Sequence, residues 1–272
     1  MIAGAQLDLG FVRHGQRTLL GRKLFSWPFV LTRAHHIDPA PGHMLSVMLQ
    51  TGAGAIHGED RLVQRISVGA DAAANVTSQG AASVHRAHSG DCTEEEVRLD
   101  VAPGGALEYL PEPRILFPDA ALDARVELAV AEGGMALVGD AFTLHDPGGG
   151  DRVFRSYRSE VLIRRPGGAP LAIDRFAING LPMQVGGHRA FGSLYLVVDR
   201  DTETVLRMAA ELTAALAEVD GLYGAASPLP AGLGLGIRLA AGELRALRAG
   251  TALTWRHLRR ELFGVYPGPR PG

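Results

Sequence analysis

One short pattern recurs through the middle of this chain, and its repetition constrains the fold more than any single motif. Residues 68–76 (VGADAAANV), 101–109 (VAPGGALEY) and 130–138 (VAEGGMALV) each end one β-favouring run, turn on Gly or Asp, place a small or apolar residue and open another run. Successive copies lie about 30 residues apart, the scale on which supersecondary units stack into solenoids. Three Gly-rich hairpin turns in an unrelated β-protein would look similar, so the repeat leaves two architectures open. Most of residues 5–200 reads as short strands. Val12, Ile66, Val76, Val97, Val126, Val161, Ile173 and Val197 sit in β-favouring segments bounded by Gly, Pro, Asp or Asn. Alternation visible over 62–68 and 96–101 predicts half-buried strands.

The C-terminal quarter changes period. From Thr202 to Val219, apolar residues at Val205, Met208, Leu212, Leu216 and Val219 share one helical face, with Asp201 placed to cap the first turn and Gly221 suited to its end. A Pro/Gly connection and a strand at Leu235–Leu239 lead to a second helix from Gly242 to Leu262. Its stripe is Leu244, Leu247, Ala252, Trp255, Leu258 and Leu262, with a basic flank of Arg245, Arg248, Arg256, Arg259 and Arg260. The expectation is one domain over residues 1–272: a β-body over 1–200, two helices with an intervening strand over 201–264, and a mobile tail over 265–272.

Composition removes several functions. With a net charge of −2, nothing favours nucleic acid or an anionic membrane as partner, and no apolar run approaches the roughly 20 residues that span a bilayer. The N-terminus shows no basic start followed by an apolar core, so no signal peptide is expected. A single cysteine, Cys92, excludes an internal disulfide framework and fits a reducing cytosol. Lys23 is the only lysine among 27 basic residues, and no G-x-x-x-x-G-K-[ST] run occurs, which excludes a P-loop nucleotidase.

Residues 56–62 (IHGEDRL) deliver Asp60 on a Gly-containing turn at the start of a strand, and 77–86 (TSQGAASVHR) form a polar strand ending in arginine. Asp60 could equally cap its own turn, and the polar strand could form a hydrogen-bonded interior ladder or line a water-filled passage. Further on come 110–118 (LPEPRILFP), 228–230 (PLP), 235–240 (LGIRLA) and 255–259 (WRHLR). In this order, over nearly the whole chain, these blocks resemble the UreD (UreH) family of urease accessory proteins. The family's G-G-D motif matches at Gly58 and Asp60, with Glu59 in place of the second glycine. Its T-T-Q-x-A-x-K-V-Y-R run matches at Thr77, Gln79, Ala81, Val84 and Arg86, with Ser78, Ser83 and His85 as departures. The resemblance implies a β-helical, mostly β fold, in agreement with the repeat.

Two acids lie on apolar strands, Asp140 within 135–144 (MALVGDAFTL) and Asp174 within 171–176 (LAIDRF), where a carboxylate must be paired, hydrated or shifted in pKa. By resemblance, Asp60, Asp140 and Asp174 are candidate acids for transient passage of Ni²⁺, with Thr77, Gln79 and Arg86 as candidate channel-lining residues and no tightly bound cofactor. The reading as structural acids with arginine partners stays open beside it. His85, His88 and Cys92, and the adjacent His35 and His36, are more plainly surface or loop residues, because their spacing matches no closed metal pattern. The resemblance implies a cytoplasmic, non-enzymatic maturation factor that binds apo-urease and UreF, recruits UreG and helps deliver nickel. The alternative is a β-solenoid carbohydrate hydrolase using two carboxylates, disfavoured by an aromatic content of 6% that leaves few platforms for sugar stacking.

Overall fold

The structure is a computed structural model that describes residues 4–52, 54–150, 152–180 and 187–268. Its centre is a stack of coils, each contributing one strand to each of three faces. The first coil is β4 (Leu45–Thr51), β5 (Ala55–Ile56) and β6 (Arg61–Val68). The second is β7 (Ala73–Ser78), β8 (Ser83–Val84) and β9 (Thr93–Val101). The third is β10 (Ala106–Leu110), β11 (Arg114–Leu116) and β12 (Ala121–Val130). β13 (Met135–Leu144) and β14 (Ser156–Arg164) begin a fourth.

The repeated turns stack in register. Val68 pairs with Val101 and Val101 with Val130 on one face, while Val76 pairs with Tyr109 and Tyr109 with Val138 on the next. The solenoid expectation therefore holds, and the sequence repeat is the register itself. Inward-facing Leu9, Ile66, Leu99, Leu107, Leu122 and Leu128 fill the space between the faces.

Antiparallel strands close the ends of the parallel stack. On one face β1 (Leu7–His14) continues the parallel stack beside β6, β2 (Arg17–Phe25) pairs antiparallel with β1, and β15 (Pro170–Asn179) closes the far edge antiparallel to β14, in the order β15-β14-β12-β9-β6-β1-β2. The second face runs β17-β18-β16-β13-β10-β7-β4-β3, using β3 (Phe29–Leu31), β16 (Ala190–Val197), β17 (Leu222–Pro228) and β18 (Gly234–Ala241). β17 lies where the sequence suggested only a connection. Its sequence, LYGAASP, lacks apolar alternation. It is held by its ladder to β18 and by the Thr213 hydroxyl, which accepts the Ala226 N–H at 3.0 Å.

Two helices cover the outside of this second face. α1 (Thr202–Ala217) starts at Asp201, whose carboxylate accepts the Thr204 N–H, and buries Val205, Met208, Leu212 and Leu216. α2 (Leu244–Phe263) ends at Gly264 in the left-handed conformation and buries Leu247, Trp255 and Leu258, while Ala252 of the expected stripe is exposed. With β16 and β18 they enclose a second apolar core. Among the described residues no helix is long and apolar enough to cross a membrane. Of the C-terminal tail, Gly268 donates its N–H to Asp38 at 3.2 Å, and residues 269–272 lie outside the described residues.

Arg259 departs from the basic flank in which the sequence places it. Arg245, Arg248, Arg256 and Arg260 are exposed, but the Arg259 side chain is 1% exposed. Its guanidinium donates to both carboxylate oxygens of Glu108, to Asp38 at 2.7 Å and to the Ala40 carbonyl at 3.3 Å, and it lies over the rings of Trp255 and Phe263. Glu108 also accepts from Asn75 at 2.6 Å and Trp255 at 2.8 Å, and Asp38 from Ser46 at 3.0 Å. α2 is thus tied through one charge to the third coil and to the segment before β4. Removing one partner of such a buried set strands the others, at a cost of about 3–5 kcal/mol. Arg259→Ala is expected to lower the free energy of urea unfolding by that amount, whereas Arg248→Ala on the exposed flank changes it by less than about 1 kcal/mol.

Candidate functional site

The solenoid interior is mostly apolar, but β9 of the second coil, β11 of the third and β13 of the fourth each turn a charged side chain into it. The odd residues of β9 face inward, so Glu95 shares the inner face with Val97, Leu99 and Val101 while Glu94 and Glu96 point out. Arg114 opens β11, and Asp140 sits at the centre of β13. Their side chains are all less than 10% exposed. The Arg114 guanidinium lies between the two acids, donating from Nε to Glu95 and from Nη1 to Asp140 at 2.5 Å.

Asp140 accepts further bonds from the Tyr157 hydroxyl at 3.1 Å and the Ser159 hydroxyl at 2.9 Å. Nearby, the Tyr109 hydroxyl donates to Gln64 at 3.4 Å. Burial favours a neutral guanidine at Arg114, but Glu95, Tyr157 and Asp140 outweigh it and hold the group charged well above its ordinary range. Burial, reinforced by these acids, pushes the Tyr109 and Tyr157 phenols up. Two acidic side chains face one basic one, a formal charge of −1 inside the solenoid.

Cavities approach this cluster from separate sides. One of about 270 Å³ is lined by Gln79, Glu112, Gln64 and Tyr109 and reaches Glu95 and Arg114. A second, about 380 Å³, has Glu95 and Ser159 in its wall beside Arg61, Glu94 and Arg175. A third, about 290 Å³, is lined by Asp140, Phe142, Phe176, Phe191 and Arg238. Glu95 thus borders two cavities and Asp140 the third, with Arg114 between them.

The three acids singled out in the sequence occupy different settings. Asp140 belongs to the buried cluster. Asp174, on β15, accepts from the Tyr195 hydroxyl and pairs with Arg238, which lines the same cavity as Asp140. Burial and that hydrogen bond to Asp174 push the Tyr195 phenol up. Asp60 is exposed in the turn before β6 and accepts the His57 N–H at 2.8 Å. The hydrolase alternative needs two carboxylates free to act across a cleft, yet Asp140 and Asp174 each rest on an arginine.

The polar strand divides. Thr77, buried, donates to the Leu110 carbonyl at 3.0 Å and lines an outer cavity of about 260 Å³ beside Trp255. Gln79, exposed, borders both that cavity and the one reaching Arg114. Arg86 is exposed and forms an isolated bridge to Ala120.

His57, His85, Phe117 and His145 form a column of rings along the third face. His57 stacks on His85 at 5.0 Å, His85 on Phe117 at 4.6 Å, and Phe117 meets His145 edge-on. Among the described residues, no three-ligand cluster includes His85, His88 or Cys92. Glu95 and Arg114 are the site residues that the sequence reading did not single out. The alternation over 96–101, extended back by one residue, places Glu95 inside.

Comparison with known proteins gives a consistent result. The family model described as UreD urease accessory protein matches residues 3–271. A Bradyrhizobium sp. (strain BTAi1) protein named urease accessory protein UreD 2 is 53% identical over 90% of this chain and 86% of its own length. Urease accessory protein UreD of Mycolicibacterium smegmatis is 36% identical over 89% of this chain and 85% of its own. Urease accessory protein UreD 1 of Methylorubrum extorquens (strain PA1) is 34% identical over 97% and 90%.

Two measurements check the local geometry. Gly58 packs so closely that a Cβ there would lie 2.4 Å from that of Ala87, and Glu59 takes φ +86°, a left-handed conformation that costs a non-glycine residue about 1–2 kcal/mol. Allowing for the entropy a glycine loses on folding, Glu59→Gly is expected to stabilise the protein by about 0.5–1 kcal/mol in urea unfolding. Burial, with Asp123 beside it, pushes the Cys92 thiol up to about 11. Since the thiolate is the reactive form, Cys92 in the native protein at pH 8 is expected to react with a disulfide reagent about a hundredfold more slowly than in the unfolded chain. Its rate should climb as pH rises toward 11.

Proposed function

This chain belongs to the UreD family of urease accessory proteins, and from that membership we propose that it helps deliver nickel to the apo-urease active site in the cytoplasm, acting in a complex with UreF and UreG. Its role is in urease maturation, as an accessory protein and not as an enzyme. The chain has no P-loop lysine, so nucleotide hydrolysis falls to the partner UreG. This protein contributes positioning and passage.

The observation that carries the reading is the Glu95–Arg114–Asp140 cluster with cavities on several sides. Carboxylate oxygens suit a divalent cation that must be released again, because they bind a borderline ion less tightly than thiolate or imidazole donors. The net negative charge lowers the cost of bringing a cation into a low-dielectric interior, and the arginine keeps the empty acids from repelling one another. Transit past Arg114 requires its guanidinium to release one acid as the cation engages it. Asp174, paired with Arg238 at the wall of the Asp140 cavity, extends the same pattern. Asp60 and Gln79 lie nearer the surface, where an ion would enter or leave.

Glu95→Gln tests this. The amide preserves shape and leaves Arg114 and Asp140 as a neutral pair, but removes the surplus negative charge. Urease purified from cells carrying the variant is expected to hold about tenfold less nickel when loading is followed over a short interval, equivalent to raising the transit barrier by about 1.4 kcal/mol. Co-purification with UreF and the far-UV circular dichroism should be unchanged. Wild-type loading kinetics in that variant would rule out passage through the cluster. Normal nickel content after deletion of the whole chain from a urease-positive cell would rule out the maturation role.

A further inference from the structure

A second constellation of donor groups lies outside the interior cluster, at the seam between the two helices. His257 and Glu261 are four residues apart on α2 and therefore share one face, which α1 approaches with Glu211. One imidazole nitrogen and one oxygen from each carboxylate all lie within 4.8 Å of one another. The helices are fixed to each other by the apolar core that includes Met208, Leu212 and Leu258, so these donors sit on rigid supports.

Two details separate this group from an ordinary surface ion cluster. The Nε2 atom of His257 is shielded from solvent and has no hydrogen-bond partner among the described residues, although the imidazole is only partly buried. Buried polar nitrogens are normally satisfied. Second, Arg207 of α1 bridges the two acids, donating from Nη1 to Glu211 at 2.9 Å and from Nη2 to Glu261 at 3.0 Å. Its hydrogen bonds among the described residues go to the two acids and not to the imidazole. About half of the Arg207 side chain is exposed, so the guanidinium can swing into water, and exposed ion pairs of this kind contribute little to stability.

We propose that Glu211, His257 and Glu261 form a binding site for a divalent transition-metal ion of the Zn²⁺ or Ni²⁺ class, with Arg207 as the resident counter-ion that the metal displaces. One neutral imidazole and two carboxylates form a mixed nitrogen and oxygen donor set suited to borderline cations. Their two negative charges match the charge of the ion. Three protein ligands leave coordination positions for water or a partner's ligand, as in open zinc sites. The donors must close from within 4.8 Å to the separations of a first coordination shell, a movement within reach of the flexible Glu211 and Glu261 side chains on the exposed side of the seam. This site is independent of the interior route, and either assignment can fail without the other.

The full-length protein, freed of metal with a chelator, is titrated with Zn²⁺ and separately with Ni²⁺ by calorimetry, with Co²⁺ absorption reporting the ligand set. The wild type is expected to bind one ion saturably. His257→Ala and the near-isosteric Glu261→Gln should each weaken that binding at least about tenfold, with unfolding by urea monitored to confirm that both fold. Arg207→Ala is the deciding variant: loss of the competing cation should tighten binding. Absence of saturable binding in both wild type and Arg207→Ala, or unchanged affinity in His257→Ala, would overturn the site and leave the cluster as an electrostatic clamp between helices. Weaker binding in a folded Arg207→Ala would overturn the counter-ion role. None of these readouts depends on urease activation.

Discussion

A single coil of this solenoid has no way to bury its own inward face, so everything else in the structure depends on the register between coils. Val68, Val101 and Val130 meet in line, and Val76, Tyr109 and Val138 repeat that alignment across the turn. A slip of one residue in any coil would turn its apolar set outward and bring its charges into the core. On β9 such a slip would exchange Val97 and Leu99 for Glu96 and Arg98. The turns set this register, because each places a short Gly-, Ala- or Asp-containing segment at the same distance from the strand ends. Parallel stacking leaves open edges, and the β1–β2 and β14–β15 hairpins occupy those of one face, while β16, β17 and β18 with the helices extend and cover the other.

Two buried arginines use the same solution for different ends. Arg114 stands between Glu95 and Asp140 inside the solenoid, and Arg259 between Glu108 and Asp38 outside it. Each has two acids against one base. The outer set is filled with donors from Asn75, Trp255, Ser46 and Gly268, consistent with a structural joint. Of the inner acids, Asp140 is similarly satisfied, whereas Glu95 has Arg114 as its described partner and borders open volume on two sides. That difference separates a clamp from a place where a cation can be accommodated.

Much of this was legible in the chain, for physical reasons that can be traced residue by residue. The repeat at 68–76, 101–109 and 130–138 pointed to a solenoid, with unrelated hairpin turns left open beside it, because coil geometry demands similar turns. The 3.6-residue stripes gave α1 and α2 to within a few residues. Asp140 and Asp174 stood out as acids on apolar strands, and both have arginine partners. Glu95 was hidden in a run of three glutamates, where charge suggests a solvated segment and only strand parity shows the middle one turning inward. Arg259 was hidden in the same way among the arginines of α2. β17 could not be read, since its residues carry no alternation and its partners supply the pairing. The His57–His85–Phe117–His145 column joins residues distant in sequence, which meet only once the coils are in register.

The interior cluster and the helical layer meet on one strand. In β10, Glu108 faces outward to receive Arg259 and Trp255 from α2, while the next residue, Tyr109, faces inward to Gln64 and the cavity that reaches Glu95 and Arg114. Adjacent residues of a strand point to opposite sides, so a single peptide unit separates the joint from the cavity wall. Glu112, just beyond the end of β10, lines that same cavity and pairs with Arg248 of α2 at 2.8 Å. The seating of α2 and the width of that cavity are therefore set by the same few residues. A displacement of α2 that broke the Arg248–Glu112 pair would act on a residue of the cavity wall through a partly exposed ion pair, which is weakly held. One that pulled on Arg259 would be resisted by a set of buried charge-assisted bonds. The geometry thus gives the helix a firm contact at Arg259 and a loose one at Arg248, each one step from a residue that lines the cavity.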